Sequence, residues 1–349
     1  MTDVFDHPWL GGLFADAELA ALWAPAAQLE GMRAFEIAWI RALGRAGRAD
    51  PVQAEAAAEA LAALAFDIDD LRAGTAQDGV VVPRLVAQMK AAAPGPVHAG
   101  ATSQDVIDTA TALAMRDTLA LIDTRLAALI EGLTALDMRF GTRPLMGRTR
   151  MQAATQITVH DRLAPWLLPL LQHRTRLAEL RPRVALVQIG GASGDRAALG
   201  AQAEEVAADV AAALGLGNPP RAWHAMRDGV AEFASFLSLI TGTLGKIGQD
   251  IALMAQQGIG EIALSGGGGS SAMPHKQNPV LAELLVTLAR FNAVQVSALH
   301  QALIHEQERS GAAWALEWMV LPQMAQAAGR ALLTAAALAS QVQRIGTPE

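Results

Sequence analysis

Residues 266–279 decide how this chain folds and functions, and they read GGGGSSAMPHKQNP. Glycine adopts backbone angles that other residues avoid, so the four glycines predict a loop with a permissive backbone. Asn278 and Pro279 are typical of the N-cap and the first position of a helix. The stretch therefore predicts a polar, cationic loop that leads into a helix N-terminus, a favourable place for an anion. A flexible linker before a capped helix is the plain alternative, but a linker does not need the string Met-Pro-x-Lys-x-Asn-Pro of residues 273–279.

The composition predicts an all-α fold. The chain has 349 residues, of which 52% are hydrophobic and only 4% are aromatic, and alanine is its dominant residue. Alanine and leucine favour helices, and no stretch alternates convincingly between polar and apolar residues as a half-buried strand does. Because the chain has no cysteine, disulfides and thiolate metal sites are excluded.

Charge and hydropathy argue against two classes of partner. The net charge is −7 and there is no basic tract, so we expect no nucleic-acid partner. No apolar run is expected to span a bilayer without interruption, and the first residues lack the pattern of a signal peptide, so we expect a cytoplasmic protein. The mean hydropathy is nevertheless positive, at +0.25, which predicts apolar surface that is buried against other subunits.

Glycine and proline positions divide the chain into two predicted domains and a tail. We expect an N-terminal helical domain over 1–101, a central long-helix bundle over 102–343, and a short tail over 344–349. Within the first domain, helices are expected in 10–48, 51–65 and 67–99. The bundle is expected to contain helices at about 104–140, 152–181, 196–214, 226–259 and 279–308, and one more that ends near 343.

The start of the first long helix carries the first candidate site, in residues 98–110, which read HAGATSQDVIDTA. Thr102 or Ser103 is expected to cap the helix, and Asp105 lies in its first turn, where a negative charge is favourable. Capping alone accounts neither for His98 nor for a small-residue turn that leaves backbone N–H groups free.

Two further stretches carry cations at predicted loop ends. Arg148, Arg150 and Gln152 precede the second bundle helix, and a solvated basic loop is the plain interpretation of these three residues. Arg309 lies where a later helix ends, and there the plain interpretation is a charged helix end. The histidines show no metal-ligand spacing and there is no phosphate-binding glycine motif, so we expect no metal or nucleotide cofactor.

Residues 266–279 resemble the GSSxMPxKxNP motif of the fumarase/aspartase superfamily, whose members eliminate a group β to a carboxylate or add it back. The resemblance implies a fumarase/aspartase-like all-α fold with a truncated C-terminal domain. It also implies that Ser270 transfers the proton, although a serine hydroxyl needs a nearby cation or helix terminus to act as a base. Lys276 would stabilise the aci-carboxylate intermediate. Glu283 would orient groups of the site, unless it is a solvated helix residue.

The other stretches resemble further motifs of the superfamily. Residues 98–105 resemble the region whose Thr-Ser pair binds a substrate carboxylate, and 147–152 resemble Gly-Arg-Thr-His-x-Gln, with Arg150 in place of the histidine. Arginine cannot be deprotonated in proteins, but it suits bidentate carboxylate binding. The resemblance implies catalytic roles for Ser270, Lys276, His98 and Glu283, and substrate binding by Thr102, Ser103, Arg148, Arg150, Gln152, Ser271, Asn278 and Arg309.

Four more segments resemble the 3-carboxy-cis,cis-muconate cycloisomerases within the superfamily. They are 6–14 (DHPWLGGLF), 188–194 (QIGGASG), 223–236 (WHAMRDGVAEFASF) and 244–251 (LGKIGQDI). The resemblance implies that one carboxylate of a tricarboxylate substrate adds across a double bond, which gives 4-carboxymuconolactone in the protocatechuate branch of the β-ketoadipate pathway. A tethered carboxylate is a good nucleophile without a separate base, so the motif histidine is not needed.

The resemblance also implies a homotetramer of dihedral symmetry whose active sites are shared between subunits. Two alternatives remain. One is an adenylosuccinate- or argininosuccinate-type lyase, against which the missing histidines argue. The other is a non-catalytic helical scaffold, against which the intact set of Ser270, Lys276 and Asn278 argues, since the glycine-rich loop has no structural use in a retired site.

Overall fold

A computed structural model of the chain describes residues 3–269, 273 and 277–348, and it confirms the all-α fold class. The N-terminal part contains six helices, three of which begin at an aspartate whose carboxylate accepts a backbone N–H of the first turn. The six are α1 (Gly11–Phe14), α2 (Ala17–Trp23), α3 (Pro25–Arg45), α4 (Pro51–Ala63), α5 (Ile68–Asp78) and α6 (Val82–Ala92).

Long helices then build the central bundle, as predicted. They are α7 (Ser103–Phe140), α8 (Val159–Val184), α9 (Ala203–Leu214), α10 (Asp228–Met254), α11 (Val280–Gln301) and α12 (Ala312–Ser340), with a short 3₁₀ segment at Ala197–Gln202. The longest of these six, α7, packs against α3 on one side and against α8 and α12 on the others. It therefore joins the N-terminal helices to the bundle.

Two small antiparallel sheets interrupt the helical chain. Strand β1 (Pro144–Thr149) pairs with β2 (Gln152–Thr158), and β3 (Ile262–Leu264) pairs with β4 (Val342–Ile345). The prediction that a helix begins at 152 is therefore wrong by seven residues. The helix begins only at Val159, because Thr158 and Asp161 form a capping box there.

The predicted tail is held against the bundle rather than free. Ile345 pairs with Ile262, and the N–H of Thr347 donates to the carbonyl of Pro144 at 2.8 Å. The second sheet thereby ties the end of α12 to the hairpin that follows α7. Residues 344–348 thus form part of one end of the bundle.

The packing of α10 against α11 depends on glycine. A Cβ built on Gly245 would lie 2.5 Å from the Cβ of Ala289, and one on Gly248 would lie 2.5 Å from the carbonyl oxygen of Ala282. These separations are well inside van der Waals contact, so the two helices approach closely only because both positions lack a side chain.

The expectation about apolar runs needs a correction, since α10 and α11 are each long and apolar enough to cross a membrane by length and composition. In α10, 61% of the most apolar window is buried inside the protein, as in the core helix of a helical protein. In α11 only 28% is buried. The single chain therefore leaves an apolar face of α11 uncovered.

Candidate functional site

The N-terminus of α7 is built by local sequence. Thr102 is the N-cap, which settles which of the two predicted residues caps the helix. The backbone N–H of Thr102 donates to the Asp105 carboxylate at 3.0 Å, and Ser103 is the first helical residue. Within the described residues the Ser103 hydroxyl makes no hydrogen bond, so it is available to a ligand at the helix terminus.

Asp105 does more than cap the helix, because its buried carboxylate ties two distant segments to α7. It accepts the N–H groups of Gly190 and Gly191 at 2.8 and 3.0 Å, and Nε2 of His224 lies 2.8 Å from it. Gly191 has a φ of +66°, and a Cβ there would lie 3.0 Å from the carbonyl oxygen of Gly100. The sequence predicted only the first-turn position of Asp105, since its partners lie 85 to 119 residues away.

Arg309 reaches the same helix terminus from the loop that follows α11. Its Nε donates to the side-chain oxygen of Gln104 at 3.1 Å, and its Nη2 donates to the carbonyl of Ala192 at 3.3 Å. Its Nη1 donates no hydrogen bond within the described residues. A guanidinium beside a helix N-terminus can bind a carboxylate, since both present N–H donors and positive charge.

His98 lies in the turn that enters α7, and α3 holds it there. Both oxygens of the buried Glu36 carboxylate face it: one lies 2.6 Å from Nδ1, and the other accepts the backbone N–H at 3.0 Å. The indole of Trp39, one helical turn further along α3, donates to the carbonyl of Ala99 at 3.1 Å. Sequence reasoning missed Glu36, whose only signal was a carboxylate on the apolar face of α3.

We call His98, Thr102, Ser103 and Arg309 the α7-start cluster. Beneath it lies a second buried group that sequence reasoning also missed. The guanidinium of Arg227 donates to Asp108 at 2.7 Å and to Glu317 at 2.9 Å, and all three side chains are at most 2% exposed. Burial by itself would lower the pKa of Arg227, but the two carboxylates more than offset this and its pKa is raised.

The β1–β2 hairpin carries the second group of candidates. Nη2 of Arg148 donates to the Glu261 carboxylate at 2.8 Å. Arg150 and Met151 form the two-residue turn, with φ of 49° and 65°, and Gln152 pairs with Thr149 beside it. Two residues in the left-handed region match the right-handed twist of a hairpin, but this conformation favours asparagine and glycine. Arg150 is therefore displayed at an exposed and strained tip.

The loop before α11 is described only in part. Ser270, Ser271 and Lys276 lie outside the described residues. Gly268 and Asn278 exchange backbone hydrogen bonds of 2.9 and 3.0 Å, so the prediction that Asn278 is the N-cap is wrong. Pro279 takes the N-cap position instead, because the backbone of Asn278 is engaged in this bridge. Glu283 lies exposed in the first turn of α11, and its side chain makes no hydrogen bond or ion pair within the described residues.

We call Arg148, Arg150, Gln152, Asn278 and Glu283 the hairpin-end cluster. The salt bridge of Arg148 to Glu261 and the pairing of Thr347 with Pro144 place the hairpin beside the β3–β4 sheet. The α7-start cluster lies at the opposite end of α7, whose 38 residues span about 57 Å. One chain therefore does not bring the two clusters together.

The described residues contain no group of three or more histidine, aspartate or glutamate side chains that could hold a metal ion. The chemistry that the two clusters offer is instead that of anion binding and proton transfer. The α7-start cluster supplies a helix terminus, a hydroxyl, a guanidinium and an imidazole. The hairpin-end cluster supplies two guanidinium groups, two amide side chains and one carboxylate.

Comparisons with known proteins agree with this chemistry. The family described as lyase matches residues 23–296. A 3-carboxy-cis,cis-muconate cycloisomerase of Pseudomonas aeruginosa is 42% identical over 93% of this chain and 73% of its own length. The crystal structure of the 3-carboxy-cis,cis-muconate lactonizing enzyme of Pseudomonas putida is similar with a TM-score of 0.88 at 38% identity, over 97% of this chain and 78% of that one.

A third similar protein is a fumarate lyase from a Mesorhizobium species, whose crystal structure gives a TM-score of 0.89 at 34% identity. That match covers 95% of this chain and 76% of the fumarate lyase. The fold and these similarities agree, and the chain belongs to the lyase family, among the relatives of the 3-carboxy-cis,cis-muconate cycloisomerases.

Proposed function

We propose that the protein converts 3-carboxy-cis,cis-muconate to 4-carboxymuconolactone. The observation that carries the proposal is the set of anion-binding groups at the start of α7, in a chain 42% identical to a cycloisomerase. Arg309 donates to the side chain of Gln104 there, and the hydroxyl of the neighbouring Ser103 makes no hydrogen bond within the described residues. Arg150 supports the same reaction, because a guanidinium binds carboxylates but cannot serve as the proton-transfer group of an intermolecular elimination.

The reaction needs one bond to form, one to break and one proton to be added. A carboxylate oxygen of the substrate forms a C–O bond while the electron pair of the double bond moves toward the neighbouring carboxylate. The carbon α to that carboxylate then takes a proton, so a substrate with three carboxylates becomes a lactone with two. Tethering supplies the nucleophile, and the protein has to hold the carboxylates and deliver the proton.

The candidate residues divide between these two tasks. Ser270 is proposed to transfer the proton and Lys276 to stabilise the aci-carboxylate that precedes it. His98 and Glu283 assist as catalytic groups. The proposed substrate-binding groups are Thr102, Ser103, Arg148, Arg150, Gln152, Ser271, Asn278 and Arg309.

The proposed active site requires more than one subunit. The two clusters are separated by the length of α7, about 57 Å, so they can meet only if the bundles of neighbouring chains run in opposite directions. Exposed apolar side chains on the bundle supply the surface for such contacts: Val294 of α11 is 70% exposed, Leu239 of α10 is 53% exposed and Met319 of α12 is 69% exposed. We therefore propose a homotetramer with shared sites, acting as a cytoplasmic enzyme of the β-ketoadipate pathway.

An ultraviolet assay tests the function. Purified protein is mixed with enzymatically generated 3-carboxy-cis,cis-muconate, and the loss of the diene absorbance is followed. We expect rapid loss with the natural protein and with Ser265→Ala, an exposed serine just before the glycine loop. Ser270→Ala should be slower by about 100-fold or more, since a positioned acid or base contributes at least this much. No loss with the natural protein, together with fumarate release from adenylosuccinate or argininosuccinate, would contradict the proposal.

The role of Arg150 is tested in the same assay. Replacing it by methionine removes a guanidinium that we propose binds one substrate carboxylate, so KM should rise about 10- to 100-fold. The KM of Arg150→Lys should lie between those of the natural protein and Arg150→Met, because lysine keeps the charge but loses the bidentate geometry. Unchanged KM and kcat in Arg150→Met would show that Arg150 does not bind substrate.

A further inference from the structure

Glu36 is a carboxylate in an unusual place. It lies on α3, its side chain is fully buried, and its neighbours in the helix include the stacked rings of Phe35 and Trp39. Removing a carboxylate from water is costly unless a partner compensates. Within the described residues the only hydrogen-bond partner of Glu36 is His98, which uses both carboxylate oxygens.

The two contacts fix both the backbone and the ring of His98. The backbone N–H of His98 donates to Oε2, which holds a residue whose φ of 58° lies in the left-handed region. The ring atom Nδ1 lies 2.6 Å from Oε1. An ionised carboxylate only accepts hydrogen bonds, so the proton of this contact belongs to Nδ1.

The other ring nitrogen is left for the site. Nε2 of His98 makes no hydrogen bond within the described residues, and the side chain keeps 16% of its surface exposed. A neutral imidazole with its proton on Nδ1 carries a lone pair on Nε2. The accessible nitrogen is therefore the one that can take up a proton from water and pass it on to the site, where the reaction consumes one.

We infer that Glu36 is a positioning residue for His98, which keeps the imidazole proton on Nδ1 and leaves the lone pair on Nε2 for the proton chemistry of the site. The inference rests on the proposed function only in assigning His98 to that chemistry. A purely structural alternative is that Glu36 stabilises the strained turn through the backbone N–H alone. The two differ in the tautomer of His98 and in what happens when the carboxylate becomes an amide.

Glu36→Gln separates the two alternatives with almost no change in shape. The amide has one acceptor, and if this oxygen keeps the backbone N–H of His98, its NH₂ group faces Nδ1 and donates to it. The imidazole proton should then move to Nε2, and the lone pair is lost from the side that faces the site. We expect kcat to fall about 100-fold or more with KM changed less than about threefold, as when a catalytic histidine is held in the wrong tautomer.

The tautomer is measured by solid-state ¹⁵N NMR of the histidine-labelled full chain at a pH where the imidazole is neutral, since this method is not limited by the size of an assembly. The chain has eight histidines, and the His98 signals are identified by their loss in His98→Gln. Trp39→Phe is the matched control. It removes the neighbouring hydrogen bond from α3 to the carbonyl of Ala99, so it loosens the same turn without touching the imidazole.

The inference is supported if the natural protein has its proton on Nδ1, if Glu36→Gln moves it to Nε2 and lowers kcat, and if Trp39→Phe leaves the tautomer unchanged. A proton on Nε2 in the natural protein overturns it, and this result does not require Glu36→Gln to fold. An unchanged tautomer and kcat in Glu36→Gln overturn it as well. If the tautomers behave as expected but carboxymuconate is not converted, the proposed function fails while the positioning role of Glu36 stands.

Discussion

At the scale of single residues, Arg227 shows how the chain supports the α7-start cluster from below. Its guanidinium lies between Asp108 of α7 and Glu317 of α12, and Asp108 also accepts the indole N–H of Trp314 at 2.9 Å. One charge group therefore joins three segments directly under the start of α7. A buried ion pair of this kind is costly to break, because the partner that remains is a buried and unpaired charge.

Replacing Arg227 by methionine leaves Asp108 and Glu317 without their cation, so the free energy of unfolding should fall by about 3–5 kcal/mol. Urea unfolding followed by circular dichroism measures this. The control is Arg183→Met, which breaks the exposed pair of Arg183 with Glu232 and should leave the midpoint almost unchanged. Equal shifts of the urea midpoint in Arg227→Met and Arg183→Met would mean that the buried group around Arg227 does not stabilise the protein more than an exposed ion pair does.

The buried side chain of His173 predicts that the stability of the protein depends on pH. Burial, with the charge of Arg176 as a second cause, lowers its pKa from 6.5 to about 4, while Nε2 lies 2.8 Å from the hydroxyl of Thr243. The unfolded chain binds this proton more readily than the folded one does. The stability that comes from neutral His173 is therefore fully present above pH 6.5 and is lost as the pH falls from about 6.5 to 4.

We expect the protein to lose about 1–3 kcal/mol of stability from this group between pH 7 and pH 4.5. Urea unfolding at a series of pH values measures the loss. His173→Gln, which keeps a hydrogen-bonding side chain but does not titrate, should show a correspondingly shallower dependence. If the free energy of unfolding depends on pH equally in the natural protein and in His173→Gln, His173 is not the cause of the loss.

At the scale of elements, the β1–β2 hairpin is the main departure from the helical pattern. Its register shifts between Met146 and Arg148, next to Gly147, and its tip places Arg150 and Met151 at positive φ. Strain of this kind persists at functional sites when something other than stability maintains it. A hairpin that displays Arg150 in a shared active site would be such a case.

Met151→Gly should therefore raise the free energy of unfolding by about 0.5–1 kcal/mol, because glycine adopts the left-handed region without strain. Thermal unfolding measures the gain. Met138→Gly is the matched control: Met138 is 83% exposed on α7, and glycine inside a helix should cost about 1 kcal/mol. A loss of stability in both variants would mean that the turn is not strained.

The elements also show where sequence reasoning succeeds and where it fails. Helix starts such as Thr102 and Asp50 were predictable, because an N-cap residue and its hydrogen-bond partner lie within three residues of each other. The start of α8 was not, because the pairing of β2 with β1 competes for residues 152–158. The Asn278–Pro279 signal failed for the same reason, since Asn278 is engaged by Gly268 across the loop.

At the scale of the whole molecule, the long axis of α7 separates two groups of candidate residues that would have to act together. If each active site combines the α7-start cluster of one subunit with the hairpin-end cluster of another, mutations at opposite ends should complement each other. Coexpression of His98→Gln with Arg150→Met forms mixed oligomers in which some sites receive neither mutation, and activity is measured at a substrate concentration near the KM of the natural protein. With random mixing, activity should recover to roughly a quarter of that of the natural protein.

The control is coexpression of two variants from the same end, His98→Gln and Arg309→Met. Every site then carries one of the two changes, so no activity should return. Activity is measured with the muconate assay, and size-exclusion chromatography with light scattering gives the oligomeric state. A monomer, or recovery in neither pair, would contradict the shared site.

The sequence by itself determined the features that depend on near neighbours. The helical composition, the spacing of apolar residues, the capping residues and the motifs at 98–105, 147–152 and 266–279 predicted the all-α fold and the family, which the structure and the comparisons confirm. Each of these signals lies within a short stretch of chain, so it can be recognised without knowledge of the fold.

Only the tertiary structure decided the contacts between distant residues. Glu36 meets His98 across 62 residues, Asp105 meets His224 across 119, and Arg227 meets Glu317 across 90. It also showed that the described candidate residues of one chain lie at two ends of the bundle. The physical reason is the same throughout: each contact forms where segments distant in sequence pack together, and a short stretch of sequence does not specify which distant segment it will contact.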